Sequence, residues 1–130
     1  MPNLQTYKLH SHKDHRGELL SNLNKDLGEN VRHFFIATIN PGKSRGNHYH
    51  KRKKEWFIIL GGKAKIILTN VETKKTKEYP IASEDSLVYE MDVNTIHTIK
   101  NISKTPITLI ALVNEFFDKE DPDTFTSKDL

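Results

Sequence analysis

The chemistry of this chain is concentrated in four side chains: His48 and His50, one residue apart, Glu55 just beyond them, and His97 on a later segment. Side chains two apart on a β-strand share a face, so both imidazoles project into one space, where a carboxylate on the next strand can meet them. If the strand bearing His97 lies alongside, three imidazoles and one carboxylate converge. Neutral imidazole and carboxylate oxygen are ligands for zinc, iron, manganese or nickel, with zinc bonds of about 2.0–2.2 Å. Cysteine is absent, so any metal must be held by His, Asp or Glu. Such a set binds a divalent metal and leaves positions open for substrate. In a metal-free site, His48 or His50 is instead the general base, since imidazole titrates near neutrality.

The elements that must position these groups are short strands. Leu4 to Leu9 alternates apolar and polar residues and opens the chain, the polar S-H-K-D-H-R-G reads as a turn closed by Gly17, and Glu18 to Leu20 starts another strand. Ser21 to Asn30, with spaced leucines among polar residues, is a loop or single helical turn. Val31 to Asn40 is a β-rich run ending at Pro41-Gly42; both of its faces are apolar, which predicts burial between two sheets or against a partner chain. Ser44 to His50, Glu55 to Leu60 and Lys63 to Asn70 follow, with Gly61-Gly62 as a hairpin turn and Ala64, Ile66 and Leu68 facing inward. Thr76 to Ala82, Ser86 to Met91, Thr95 to Ile102 and Ile107 to Phe117 complete the series, and the polar stretch from Asp118 forms a C-terminal arm. Close, regular strand spacing with Gly, Pro and Asn turns predicts an all-β sandwich or barrel.

At 130 residues the chain fits one domain spanning 1–130, with 118–130 as the arm. No apolar run approaches the length of a membrane span and the N-terminus lacks the apolar core of a secretory signal, so a cytoplasmic location is expected. A net charge of +3, from 20 basic and 17 acidic residues, suits an anionic small molecule and does not call for nucleic acid. Arg16 reads as a solvated turn residue or, beside Gly17, as an anion-binding side chain; Arg16 and Arg45 are the candidates for a diphosphate if the ligand carries one, because a guanidinium grips phosphate oxygens bidentately. The remaining histidines, His10, His12, His15 and His33, read as structural or exposed, and Lys51-Arg52-Lys53-Lys54 as a solvated hairpin, with attraction of nucleotide phosphate or nucleic acid as the alternative. Tyr49 falls on the face opposite the histidines and reads as packing between sheets or at a dimer contact. Tyr89 is a proton donor only if its strand turns it inward, which alternation leaves open. Trp56 and Phe57 read as core, with one face available to stack on a base.

Gly42-x5-His48-x-His50-x4-Glu55-x6-Gly62 resembles the first cupin motif at full spacing, and Ser86 through His97 to Asn101 resembles the second, with Ser86, Asp92 and Asn94 standing where that motif has Gly, Pro and Gly. The resemblance implies a jelly-roll barrel, the double-stranded β-helix of cupins, with its site inside. S-R-G-N-H-Y-H is similar to the R-G-x-H-Y signature of dTDP-4-keto-6-deoxyhexose epimerases, and D-H-R-G-E-L to their D-x-R-G segment. The closing A-L-V-N-E-F-F-D-K-E-D-P-D-T-F resembles the end of the C-terminal cupin domain in bifunctional capsular polysaccharide enzymes that epimerise and then reduce a UDP-4-keto-6-deoxy-N-acetylhexosamine. With no dinucleotide-binding segment here, reduction is left to a separate reductase.

The function so implied is a nucleotide-sugar epimerase of surface polysaccharide biosynthesis, acting at C3 through an enolate on a divalent metal, zinc the first expected. The dTDP-sugar 3,4-ketoisomerases, which share S-R-G-x-H-x-H but often lack a carboxylate at the Glu55 position, give the alternative reaction. A non-catalytic metal- or sugar-binding module is the reading from another class, and an iron dioxygenase a third. The apolar faces of Val31 to Asn40 and Ile107 to Phe117 predict a homodimer.

Overall fold

A computed structural model describes residues 3–22 and 24–130. Eleven strands are present among them: β1 (Gln5–Lys8), β2 (His10–Asp14), β3 (Gly17–Ser21), β4 (His33–Ile39), β5 (Ser44–His48), β6 (Glu55–Leu60), β7 (Lys63–Asn70), β8 (Thr76–Ala82), β9 (Leu87–Met91), β10 (Thr95–Asn101) and β11 (Ile107–Val113). One short helix, α1 (Lys25–Asn30), is capped by the Asn24 side chain. It occupies the stretch expected as a loop or single turn; of that stretch's leucines, Leu23 lies outside the described residues.

Two antiparallel sheets, in the orders β1-β9-β6-β11-β4 and β5-β10-β7-β8, face each other, and β2 and β3 form a separate hairpin. Their inner faces supply one core, with Phe57, Met91 and Leu109 from the first sheet and Ile66, Leu68 and Ile99 from the second. Alternation delivers it: Ala64 and Ile66 of β7 are fully buried while Lys63 is exposed. A smaller cluster of Leu9, Leu27, Trp56 and Val88 lies under α1 on the outer face of the five-stranded sheet.

Several expectations need correction. The polar run after Leu9 is not all turn: His10–Asp14 pairs with Gly17–Ser21, and only His15 and Arg16 make the bend. Polar sequence hid this strand because neither of its faces is buried. Within one chain the run Val31–Asn40 does not lie between two sheets, which leaves the partner-chain alternative. Its core, β4, is an edge strand whose inner residue Ile39 is buried while Phe34 and Ile36 are 61% and 63% exposed. The basic run is not a free solvated hairpin either. Lys51 lies over the Phe125 ring, Arg52 pairs with Glu115 and Asp121, Lys54 lies within 4 Å of Glu90 and Asp92, and Lys53 is buried.

The three departures from the second cupin motif fall outside its strands: Ser86 precedes β9, and Asp92 and Asn94 lie in the connection to β10, which joins one sheet to the other rather than closing a hairpin. Ser86 and Asn94 take φ of 54°, the left-handed conformation for which glycine is normally used. Asn tolerates this region at little cost, and Ser less readily. Asn101 is completely buried and structural: its Nδ2 donates to the carbonyls of Ile39 and Thr105, and its Oδ1 accepts from Ser103 N.

Candidate functional site

His48 and His97 are directly opposite each other in the β5–β10 pair, and the register then slips so that Thr98 faces Gly46. Asn47 is the extra residue of this bulge; with φ of 60° beside Gly46 at 98°, it turns the end of β5. His50 lies just past the strand. Glu55, the first residue of β6, approaches from the five-stranded sheet, so the four side chains bridge the two layers at one end of the barrel. Their ligand atoms all lie within 4.8 Å of one another. Ring centroids are 4.7 Å apart for His48 and His97, 5.0 Å for His48 and His50, and 5.4 Å for His50 and His97.

The chemistry of this donor set fits a divalent cation. His97 is 2% exposed, and among the described residues neither of its ring nitrogens has a hydrogen-bond partner. Its Nε2 is 3.3 Å from Glu55 Oε1, but off hydrogen-bonding geometry. A buried imidazole left without partners is costly unless something else coordinates it. His50 Nδ1–H donates to the Asp123 carbonyl at 2.7 Å, fixing the tautomer that turns Nε2 toward Glu55 Oε1 at 2.9 Å. A backbone carbonyl orienting the far nitrogen of a histidine is the usual support for a metal ligand.

Electrostatics keeps His48 and Glu55 in ligand form, whereas Glu55 favours a proton on His50 that a cation would displace. Burial, with the neighbouring His97 and His50, pushes His48 down to about 4, so it is neutral at physiological pH. Burial also opposes charge on Glu55, but its contacts with His50 and His97 outweigh that and hold its carboxyl well below the ordinary range. For His50, burial is outweighed by the hydrogen bond and charge of Glu55, and its pKa is raised.

Two arms of cavity meet at the cluster and share Phe35, His48 and Glu55. One, of about 150 Å³, is walled by Phe57, Ile99 and Leu109 and carries Arg45. The other, of about 190 Å³, is lined by His33, Lys53, Val113, Phe117 and Thr124. Arg45 donates through Nε to the carbonyl of Thr38 at 3.0 Å, which anchors it to β4. Arg16 is not brought to this cavity. It sits at the tip of the β2–β3 hairpin, where its guanidinium grips Asp14 at 2.6 Å in a separate hollow with His12 and Glu18. Tyr49 packs on Phe125 of its own chain, with ring centroids 5.5 Å apart. Tyr89 does face inward, but its hydroxyl is enclosed in the core with no partner among the described residues; burial, with Asp85, pushes it up to about 12, and it does not line either arm. Trp56 is turned outward, donating to Glu90 at 2.9 Å, while Phe57 is the ring that meets His97 edge-on.

Sequence reasoning missed Lys53, His33 and Asp123. Lys53 and His33 were legible in principle: Lys53 is two residues before Glu55, and His33 shares the face of Phe35. Asp123 was not, because it arrives from the C-terminal stretch. That stretch is mostly exposed, yet it returns to the site through the Tyr49–Phe125 bridge, and the buried Asp123 carboxylate accepts from the backbone N–H groups of Lys51, Arg52 and Lys53 at 3.1, 2.8 and 2.8 Å. Burial works against its charge, but those bonds prevail and lower its pKa from 3.8. The stability it contributes is present above that value and is lost as pH falls through the lower folded-state value. Asp123→Asn, which turns an NH2 group toward backbone donors, is expected to cost about 2–3 kcal/mol in urea denaturation. By disturbing the carbonyl that holds His50, it should also weaken binding of added zinc roughly 10–100-fold if the cluster takes a cation, as a chelator competition would read.

Residues 12–125 match the model of the polysaccharide biosynthesis C-terminal domain. The chain belongs to this family. A relative from Pseudomonas aeruginosa, UDP-2-acetamido-2,6-beta-L-arabino-hexul-4-ose reductase, is 31% identical over 92% of the chain. The chain spans 32% of that relative's length. The spore coat polysaccharide biosynthesis protein SpsL of Bacillus subtilis is 25% identical, over 89% of this chain and 82% of its own. Among solved structures, the capsular polysaccharide assembling protein CapF of Staphylococcus aureus superposes with a TM-score of 0.71 at 29% identity, covering 92% of this chain and 32% of that one. The 3,4-ketoisomerase QdtA of Thermoanaerobacterium thermosaccharolyticum, solved as a point mutant in complex with TDP-4-keto-6-deoxyglucose, shares the fold at a TM-score of 0.80 and 20% identity, covering 99% and 91%. This polysaccharide biosynthesis domain is thus an all-β cupin-type barrel. Among its described residues, no helix is long and apolar enough to cross a membrane.

Proposed function

We propose that this domain enolises a UDP- or dTDP-linked 4-keto-6-deoxy sugar and epimerises it at C3. The observation that carries the reading is the buried cluster of His48, His50, Glu55 and His97 where two cavity arms meet, with Arg45 in one of them. The ketone at C4 acidifies the proton at C3. Its removal leaves an enolate, whose charge needs a cation or aimed donors. A divalent ion, zinc first among candidates, would be held by those four residues and would supply Lewis acidity toward the ketone oxygen. His48 is neutral and presents a lone pair in the cavity, the form needed to hold a cation or to take a proton. Arg45, which lines one arm, would bind the diphosphate. Phe57, Ile99 and Leu109 exclude water, which strengthens each of these interactions. The Pseudomonas aeruginosa relative, named for a UDP-linked hexul-4-ose, supports a 4-keto sugar nucleotide as the substrate class.

Proton return to the opposite face of C3 gives the epimer; return to C4, with the 3-hydroxyl yielding its proton, gives the 3-ketone. The fold shared with the ketoisomerase QdtA accommodates the second outcome. NMR of the product after incubation with a UDP-4-keto-6-deoxy-N-acetylhexosamine and with dTDP-4-keto-6-deoxyglucose divides the two, and no conversion of either contradicts both in favour of a binding module. Product reduction would fall to a separate reductase, so NADPH absorbance should stay constant with this chain alone. The uncovered Phe34 and Ile36 on edge strand β4 favour a homodimer. Light scattering should then report twice the 15.0 kDa chain mass, and the single mass would contradict it.

A further inference from the structure

Lys53 was expected in a solvated turn, but it is only 6% exposed and lines the arm that shares His48 and Glu55 with the rest of the site. Its ammonium lies over the ring of Phe117, 5.3 Å from the centroid, and among the described residues no carboxylate is paired with it. The carboxylates nearby are committed elsewhere. Asp123 takes backbone N–H groups, Glu115 and Asp121 take Arg52, and Glu55 is held by His50 and lies against His97. A cation removed from water without an opposite charge is costly, and one that faces a cavity is stabilised when a ligand supplies that charge.

We propose that Lys53 binds a negatively charged oxygen of the ligand in this second arm, across the cluster from Arg45. The identity of that ligand rests on the nucleotide-sugar reading, whereas the anion chemistry follows from the lysine's own surroundings. The four-residue cluster then lies between two cationic groups, Arg45 in one arm and Lys53 in the other. A ligand whose reacting carbon meets His48 is held from both sides. The oxygen that Lys53 takes is either phosphoryl or the sugar oxygen on which charge develops.

Calorimetric titration of the whole chain with inorganic pyrophosphate, UDP and a UDP-4-keto-6-deoxy-N-acetylhexosamine tests this in wild type and Lys53→Met, which keeps an unbranched apolar stem. The substitution is expected to weaken at least one ligand roughly 10–100-fold, the range for a hydrogen bond to a charged group. Loss already with pyrophosphate assigns the phosphoryl oxygens, and loss only with the keto sugar assigns the sugar oxygen. Without ligand, the variant should melt at or above wild type, because an unpaired buried charge has been removed. Equal affinity of wild type and variant for all three, no binding of any to wild type, or a lower melting point with unchanged affinity each overturns the proposal. If pyrophosphate affinity falls in the variant while wild type converts no keto sugar, Lys53 stands and the epimerase reading falls. Conversion by wild type with affinities unaffected by the substitution gives the reverse.

Discussion

Replacing His48 by Asn should lower the rate of proton exchange at C3 of a 4-keto sugar nucleotide by roughly 10²–10⁴-fold, the usual contribution of a positioned acid–base group. His48 lines both cavity arms and is within 5.0 Å, ring to ring, of His50 and His97. Its lone pair is free across the neutral range because burial and the two neighbouring rings push its pKa to about 4. Asn preserves the backbone pairing with His97 but offers no imidazole nitrogen, so the melting temperature should change little while kcat collapses. Parallel metal analysis separates the two possible duties of the ring. If His48 serves mainly as a ligand, the variant purifies with depleted metal; if it serves mainly as a base, metal is retained and exchange is still lost. Wild-type exchange in the variant would remove His48 from the chemistry altogether.

The second large effect is structural and lies next door. Gly46 has φ of +98°, and a Cβ there would stand 2.6 Å from the carbonyl oxygen of His97 and 3.3 Å from its Cδ2. Both atoms belong to the residue facing the bulge, so relief requires β5 to move away from β10 at the histidine pair. Left-handed strain and overpacking together put Gly46→Ala at about 2–5 kcal/mol, a large share of the roughly 5–15 kcal/mol available to an ordinary domain. Urea denaturation should show that loss, and metal retention should fail because His48 and His97 no longer converge. Gly42→Ala is the control. Gly42 also has positive φ, +75°, but among the described residues beyond its chain neighbours nothing lies within 4 Å of its would-be Cβ, so only the strain of about 1–2 kcal/mol is expected, with the site intact.

The two glycine positions illustrate how far the sequence could be read. Spacing alone placed His48, His50 and Glu55 together, because strand alternation and a short connection leave few other arrangements. His97 joined them only on the condition that its strand lies beside that of His48, which the β5–β10 pairing meets. Spacing did not reveal the bulge at Gly46-Asn47, which depends on backbone angles that an R-G-N tripeptide permits but does not require. Buried strands such as Lys63–Asn70 declared themselves through alternation, whereas His10–Asp14, wholly exposed, carried no such mark. Arg16 shows the limit of short motifs. Its R-G pair resembles a nucleotide-contacting segment, yet in this chain the guanidinium is engaged by Asp14 outside both cavity arms. Lys53 shows the converse, since a run of four basic residues looks like solvent-facing charge until tertiary contacts sort each member separately. Contacts across 70 or more positions, such as Asp123 with His50 and Lys53, have no local signature at all.

Removal of the proton beside a sugar ketone is the step on which the proposed function stands. Incubating the chain with a UDP-4-keto-6-deoxy-N-acetylhexosamine in deuterated water, with C3 followed by NMR, reads that step directly. The expected result is deuterium entering C3 at a rate far above the protein-free control and lost in His48→Asn. Absence of exchange at C3 in metal-supplemented wild-type protein that binds the sugar nucleotide would contradict it.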